Sequence, residues 1–309
     1  MVFDGFGWKF RGPRSSEVQF QDVAYRRDVV DTPCGKCELC LVDVRYSKAL
    51  RIMLEAESWP DKAYFLTLTF DRSHIGDGVL DHGEWSQFMK NFRQKFCQVQ
   101  YCLLRDRGGK RHGRVYSKTF KSIKQVMCGE YGDSFGRKHF HGIIFNHSFA
   151  DIEFTGEYSS KGNPVFTSRA LEAVWKKGRV QIAEVNFDLA LYVGSYVTDK
   201  VYDGQVTGQY GRFGRGIGES WIRKYWRDVL SVGKIILSDG EYPIPRYFLK
   251  KVSEWYPVEF FKFRTARDLK LFDSKVKNIS KGDGPLRRAQ AKARIQQSNR
   301  QKRCNDGKI

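Results

Sequence analysis

The sequence has no run of about 18 consecutive apolar residues, the length a membrane-spanning helix needs. Its start, MVFDGFGWKF, carries no apolar core of the kind that marks a secretory leader. Secretion and membrane spanning are therefore excluded as expectations, and a cytoplasmic setting is expected. No G-x-x-x-x-G-K-[ST] stretch is present either, so no built-in nucleotide-driven motor is expected. Cysteine is scarce and odd in number, seven in all, with three crowded into CGKCELC. That usage fits reduced thiols or a metal site better than a disulfide framework. No internal repeat punctuates the 309 residues.

Acidic residues are the other shortage. Asp and Glu number 35 against 54 Lys and Arg, a formal net charge of +19, which predicts attraction to a polyanion, with nucleic acid the leading class. The excess is uneven. Between Lys262 and Lys308 there are 15 basic and 4 acidic residues, +11 of the total. The last part of that stretch is poor in large apolar residues and reads as a solvated helix or a disordered arm able to contact phosphates, or merely to keep the chain soluble. The remainder, with 41% hydrophobic and 15% aromatic residues overall, can bury a core in one large domain or two small ones.

Periodicity sorts this remainder into an α+β chain. After an irregular start, Leu39, Val42, Tyr46, Ala49, Leu50, Met53 and Ala56 recur at helical spacing. AYFLTLTF alternates as a strand, and a helix from about Gly83 to Cys97 puts Trp85, Phe88, Met89 and Phe92 on one face. LRDRGGKRHGRVY reads as a basic, glycine-rich loop. SIKQVMCGEY and KHFHGIIF then form two strands around the hairpin punctuation GDSFGR. A helix near Arg169 to Lys177, a strand GRVQIAEV and a helix NFDLALYVGSYVTDK, capped by Asn186 or Asp188, follow.

Within the second of those paired strands, His139 and His141 stand on one face with Ile143 and Phe145, while Phe140 and Ile144 take the other. A strand apolar on both faces is normally central and covered, and a buried imidazole there needs a partner. Two imidazoles side by side can share a divalent cation. With a turn centred on residue 135, Glu130 falls opposite position 140, and a one-residue shift sets it across from His139 or His141. Two imidazoles and a carboxylate suit Mn²⁺ or Mg²⁺ with positions open for a substrate oxygen. The bland alternative is a pair of histidines that only satisfy hydrogen bonds in a sheet.

Tyr192, Tyr196 and Lys200, each four residues apart, line one stripe of the last helix, beside the apolar stripe Leu189, Val193 and Val197. The stripe is either a core-facing aromatic ridge or a face left open to a ligand. A phenol with an ordinary pKa of about 10 needs a nearby cation to act as a nucleophile, which the metal and Lys200 would supply. Metal strand, tyrosine pair and positive charge together point to tyrosine attack on a DNA phosphodiester. Candidate DNA contacts are Thr67 and Thr69 of the first strand, Lys110, Arg111 and Arg114 of the basic loop, and Arg212 and Arg215 by the loop Gly214 to Gly218. Cys34, Cys37 and Cys40 would hold structural Zn²⁺ if a fourth ligand came from Cys97, Cys102, Cys128 or a histidine.

Taken in order, FLTLTFD, RKHFHGIIF and YVGSYVTDK resemble the three motifs of HUH rolling-circle replication initiators. With PCGKCELC upstream and GRGIGESWIRKYW downstream, the chain looks most like the initiators of gokushovirus-type microviruses, small phages with circular single-stranded DNA. The resemblance implies an RRM-like central antiparallel sheet flanked by helices, in an endonuclease domain over residues 34–250. Residues 1–33 would be an irregular lead-in and 251–309 a basic tail. It implies His139 and His141 as metal ligands, with Glu130 as the third, and Tyr192 and Tyr196 as paired nucleophiles that nick and rejoin single-stranded or supercoiled origin DNA through a 5′-phosphotyrosine. The partners implied are a host helicase and the host replication machinery, in the cytoplasm of a bacterial cell. A related plasmid initiator, relaxase or transposase would use the same residues on other DNA. A non-enzymatic nucleic-acid-binding module would leave the histidines and tyrosines without a joint task.

Overall fold

The fold is described from a computed structural model covering residues 2–3, 8–9, 38–106, 109–116, 121–132, 136–159, 161–199 and 209–280, with backbone alone at 2–3, 8–9, 38–39, 99–106, 109–116, 197–199 and 271–280. The chain divides into two compact units, Met1–Val42 and Asp43–Ile309. The first carries a two-stranded ladder, β1 (Val2–Phe3) and β2 (Trp8–Lys9). In chain order the elements that follow are α1 (Glu38–Glu57), β3 (Tyr64–Thr69), α2 (His82–Phe96), β4 (Val99–Asp106), β5 (Gly109–Tyr116), β6 (Gln125–Tyr131), β7 (Lys138–Ile144), β8 (Ile152–Tyr158), β9 (Pro164–Ser168), α3 (Arg169–Trp175), β10 (Val180–Glu184), α4 (Phe187–Asp199), β11 (Tyr210–Phe213), α5 (Glu219–Val232), β12 (Ile235–Leu237), β13 (Gly240–Tyr242), α6 (Arg246–Trp255) and α7 (Pro257–Ser280).

A seven-stranded antiparallel sheet, in the order β11-β6-β7-β3-β10-β9-β8, forms the centre, and helices lie against it. The α+β class expected from periodicity is the one found. Each face of the sheet has its own core, as a two-residue side-chain period requires. On one face, Phe65, Val126, Cys128, Ile143 and Phe145 pack with Ala49 and Ile52 of α1 and Ala190 and Val193 of α4. On the other, Leu66, Leu68, Met127, Phe140 and Ile144 pack with Trp85, Phe88, Met89 and Phe92 of α2 and Leu171, Val174 and Trp175 of α3. A third core joins α1 to α5 and α6 through Leu50, Leu54, Ile222, Trp226, Phe248 and Val252.

Local chemistry fixes the helix starts. Asp81 caps α2 by accepting from Gly83 N at 2.7 Å, Ser168 caps α3 by accepting from Leu171 N at 3.1 Å, and Asn186 accepts from Leu189 N at 2.9 Å at the head of α4. The stretch read as a basic loop is instead half of the hairpin β4–β5, registered from Asp106↔Gly109 to Val99↔Tyr116. Charged residues at the strand positions of KRHGR hid this pairing from an apolar-alternation reading. Lys110, Arg111 and Arg114 therefore sit on β5, opposite Arg105, Leu104 and Tyr101 of β4.

The loop Gly214 to Gly218 is built into the interior. Arg51 Nε donates to Ile217 O at 3.0 Å, Lys124 Nζ donates to Gly216 O at 2.8 Å, and the fully buried Glu55 accepts from Gly218 N at 2.5 Å. Gly218 has φ +79°, and a Cβ there would meet the Phe248 ring at 2.7 Å, so only glycine fits.

Candidate active site

β7 lies between β6 and β3, covered on both sides, which is the environment its doubly apolar pattern requires. Its histidine-bearing stretch is held from behind. Trp85 of α2 lies over Gly142, where a Cβ would collide with the indole, and Trp85 Nε1 donates to Gln125 Oε1 on β6 at 3.0 Å. Phe140 is fully buried between the rings of Phe70, Trp85 and Trp175. The alternate residues, His139 and His141, are thereby fixed on the face that α4 covers.

Register does the rest. Glu130↔His139 and Cys128↔His141 are direct partners on β6, and Thr69↔His139 and Thr67↔His141 on β3. His139 Nε2 lies 2.8 Å and His141 Nε2 2.7 Å from the same atom, Glu130 Oε1. The far ring nitrogens are occupied as well: His139 Nδ1 donates to Arg137 O at 3.1 Å, and His141 Nδ1 pairs with Thr67 Oγ1 at 3.0 Å. Such outer partners fix the ring orientation and leave Nε2 to face the carboxylate. Phe65 stacks on His141 with centroids 5.2 Å apart.

From α4, the Tyr192 hydroxyl donates to Glu130 Oε1, with the ring edge-on to His141 at 5.3 Å. Tyr196 hydrogen-bonds to both Glu130 and Tyr192, its ring centroid 4.9 Å from that of Tyr192. Gly194, between the two rings in sequence, faces α1, where a Cβ would make an ordinary contact 3.4 Å from Arg45 O.

The electrostatics are those of a site built for a cation. Burial alone would raise the Glu130 carboxyl, but hydrogen bonds from His139 and His141 hold it well below the usual carboxylate range. Burial pushes His141 down, favouring the neutral imidazole that a metal requires. Both phenols are pushed far up, first by burial and then by the Glu130 charge. While Oε1 is crowded by donors, Glu130 Oε2 is buried without a hydrogen-bond partner, an arrangement that is costly unless something else satisfies it. Glu130, His139 and His141 have ligand atoms within 4.8 Å of one another and are the group among the described residues able to hold a metal ion. Two imidazoles, one carboxylate and an orphaned carboxylate oxygen fit a divalent cation with sites left open.

Lys200 and the thiols Cys34 and Cys37 lie outside the described residues. Cys40 is on α1, while Cys97 and Cys128 are buried, in the cores of opposite sheet faces. Thr67 and Thr69 turn their hydroxyls inward, Thr67 to His141 and Thr69 to Arg179 O at 3.0 Å. Arg212 pairs with Met127, on the face away from the histidines, and Arg215 is exposed beside it.

A family model for replication-associated proteins of the ORF2 type matches residues 63–201, a span from the start of β3 past the end of α4 that includes all three metal-capable residues and both tyrosines. The replication-associated protein VP4 of Bdellovibrio phage phiMH2K is 30% identical over 257 residues, 81% of this chain and 73% of the relative. The chain belongs to this family of replication-associated proteins. Two other members, ORF4 of Chlamydia phage 1 and ORF2 of Spiroplasma virus 4, are 29% and 26% identical, over 70% and 74% of this chain and 52% and 70% of theirs. No solved structure matches the chain. For this replication-associated protein, sequence reasoning missed the outer partners, the Arg137 carbonyl and Phe65, although Thr67 lay on a strand whose pairing to His141 is implied once β3 and β7 are neighbours. Among the described residues no helix is long and apolar enough to cross a membrane.

Proposed function

We propose that the protein initiates replication by nicking and rejoining single-stranded DNA at an origin, as a metal-dependent tyrosine endonuclease of the HUH type on an RRM-like sheet. The observation that carries this reading is the convergence of His139, His141 and Tyr192 on Glu130 Oε1, while Glu130 Oε2 stays buried and unpartnered. His139, His141 and Glu130 would hold Mg²⁺ or Mn²⁺, whose charge stabilises the scissile phosphate and offsets the carboxylate that keeps the phenols protonated.

Tyr192 is positioned by its bond to a ligand carboxylate, so the nucleophile and the ligands share one carboxylate. Its phenol oxygen attacks phosphorus in line, the bond to the 3′ oxygen breaks, the phenol proton is lost and the departing oxygen takes one up. One phosphodiester replaces another, so no ATP is consumed and the step reverses. Tyr196, in ring contact with Tyr192, supplies the second nucleophile for cutting a regenerated origin while the first is occupied. Strand separation comes from a host helicase, and the reaction takes place on supercoiled or single-stranded origin DNA in the bacterial cytoplasm.

The test is covalent capture. Purified protein is incubated with labelled single-stranded fragments of its candidate origin and Mn²⁺ or Mg²⁺, then run on a denaturing gel beside lanes with EDTA and with Tyr192→Phe, Tyr196→Phe. A labelled protein band that needs metal and vanishes in the double variant is expected. Tight binding without any adduct on any fragment would favour a non-enzymatic binding module.

A further inference from the structure

Behind the sheet, on the face away from the histidines, α2 and β11 border a cleft of about 830 Å³. Its floor is Trp85, Gln125 and Met127, the last two being the β6 residues that alternate with Val126 and Cys128 of the site face. Its cations come from both walls. Lys90 and Arg93, one turn apart, stand on α2, and Arg212 and Arg215 stand on β11 and the loop after it. Among the described residues no Asp or Glu lines it, although the whole chain carries about two acids for every three bases.

We propose that this cleft is a second nucleic-acid subsite, which takes the phosphate backbone of a single strand away from the bond that is cut. The proposal rests on the nucleic-acid reading above but not on its nicking chemistry. Cations facing one another across a trough, with no acid between them, suit a repeating anion better than a single one. The position suits the same strand that enters the metal site. β11 is the edge of the sheet and lies two strands from β7, roughly 10 Å at the usual strand spacing; α4 packs against β6 and β11 on the histidine face, so the strand would pass around that helix to reach the edge, where Arg215 is exposed.

The experiment uses the full chain carrying Tyr192→Phe and Tyr196→Phe, so that no adduct traps DNA, and measures binding by fluorescence anisotropy over a salt series. Labelled strands of about 6 and about 20 nucleotides are compared, the short one able to fill a single subsite. Adding Lys90→Ala with Arg93→Ala should weaken the long strand about tenfold and lower its salt slope by about 1.4, at about 0.7 per lost phosphate contact, while the short strand changes less than twofold. Arg212→Gln with Arg215→Gln, on the other wall, should give the same length-dependent loss and serves if the α2 variant does not fold. A photo-crosslinking side chain at Ser86, on the exposed lip of the cleft, should capture the long strand and not the short one. Equal loss on both lengths, or no loss on either, would overturn the proposal. Absence of a covalent adduct with the unsubstituted chain would sink the nicking reading and leave this length dependence untouched.

Discussion

Residues 139 to 144 of β7 alternate between two unlike surroundings. His139 and His141 face Glu130, Tyr192 and a buried oxygen with nothing to bond, while Phe140 and Ile144 face a tightly packed aromatic layer under α2 and α3. One face keeps polar groups buried and incompletely satisfied, which costs stability. The other gains stability from Phe70, Trp85, Phe88, Phe140 and Trp175, whose rings meet mostly edge to face, the favoured geometry. A single strand thus holds a polar site rigid because its reverse side is anchored.

Neighbouring substitutions on that strand separate the two roles. His141→Ala removes one imidazole of the metal-capable group and should reduce adduct formation in the capture assay by about 10³-fold or more, the equivalent of several kcal/mol at the transition state. Phe140→Ala, one residue away, should cost about 3 to 5 kcal/mol in urea unfolding, because it opens a cavity at a fully buried ring. If both variants lost activity and stability in the same proportion, the division between the faces would fail.

The packed face also buries a histidine, and pH tests it. His147 is buried among Phe92, Phe96 and Phe149, and neither ring nitrogen has a hydrogen-bond partner. Burial, then the Lys121 charge, lowers its pKa to about 4, against about 6.5 when unfolded. Between those values the unfolded chain holds the extra proton, so stability rises with pH. The contribution is fully present above about pH 6.5 and is lost as pH falls towards 4, on the order of 3 kcal/mol in all. Unfolding measured across this window should flatten in His147→Phe relative to the parent, and an unchanged slope would place the pH dependence elsewhere.

What could be read from the sequence followed this same division. Period-two alternation in AYFLTLTF and KHFHGIIF gave both strands and their faces, and the i, i+4 tyrosines gave the stripe of α4, because each depends only on local geometry. The Glu130↔His139 pairing was within one residue of what the turn implied. The hairpin β4–β5 was hidden because charged residues occupy strand positions there, so that no apolar alternation marks it. The backbone of the loop after β11 is tied down by Arg51, Glu55 and Lys124, up to 166 residues away in sequence, which its local pattern could not reveal. The sheet face on which Arg212 stands could not be read either, because sequence order does not reveal that β11 pairs with β6. Long-range pairing, unlike periodicity, leaves no local trace.

The smallest effect expected tests how sharply the polar face is tuned. Thr67 Oγ1 holds His141 Nδ1 at 3.0 Å, and the residue is half-buried on β3. Thr67→Val keeps the β-branched shape and the strand preference but removes the hydroxyl, so the imidazole keeps its place and loses its orienting partner. Mn²⁺ binding measured by calorimetry should weaken about 10- to 100-fold, the usual consequence of removing an outer-shell partner, while urea unfolding in EDTA shifts by about 1 kcal/mol at most. Weaker metal binding with intact stability would show that the β3 side of the site acts through ring orientation alone. Unchanged metal binding would mean that β7 packing against Trp85 and Phe140 fixes the imidazoles without help, and the rigid face would then account for the geometry of both.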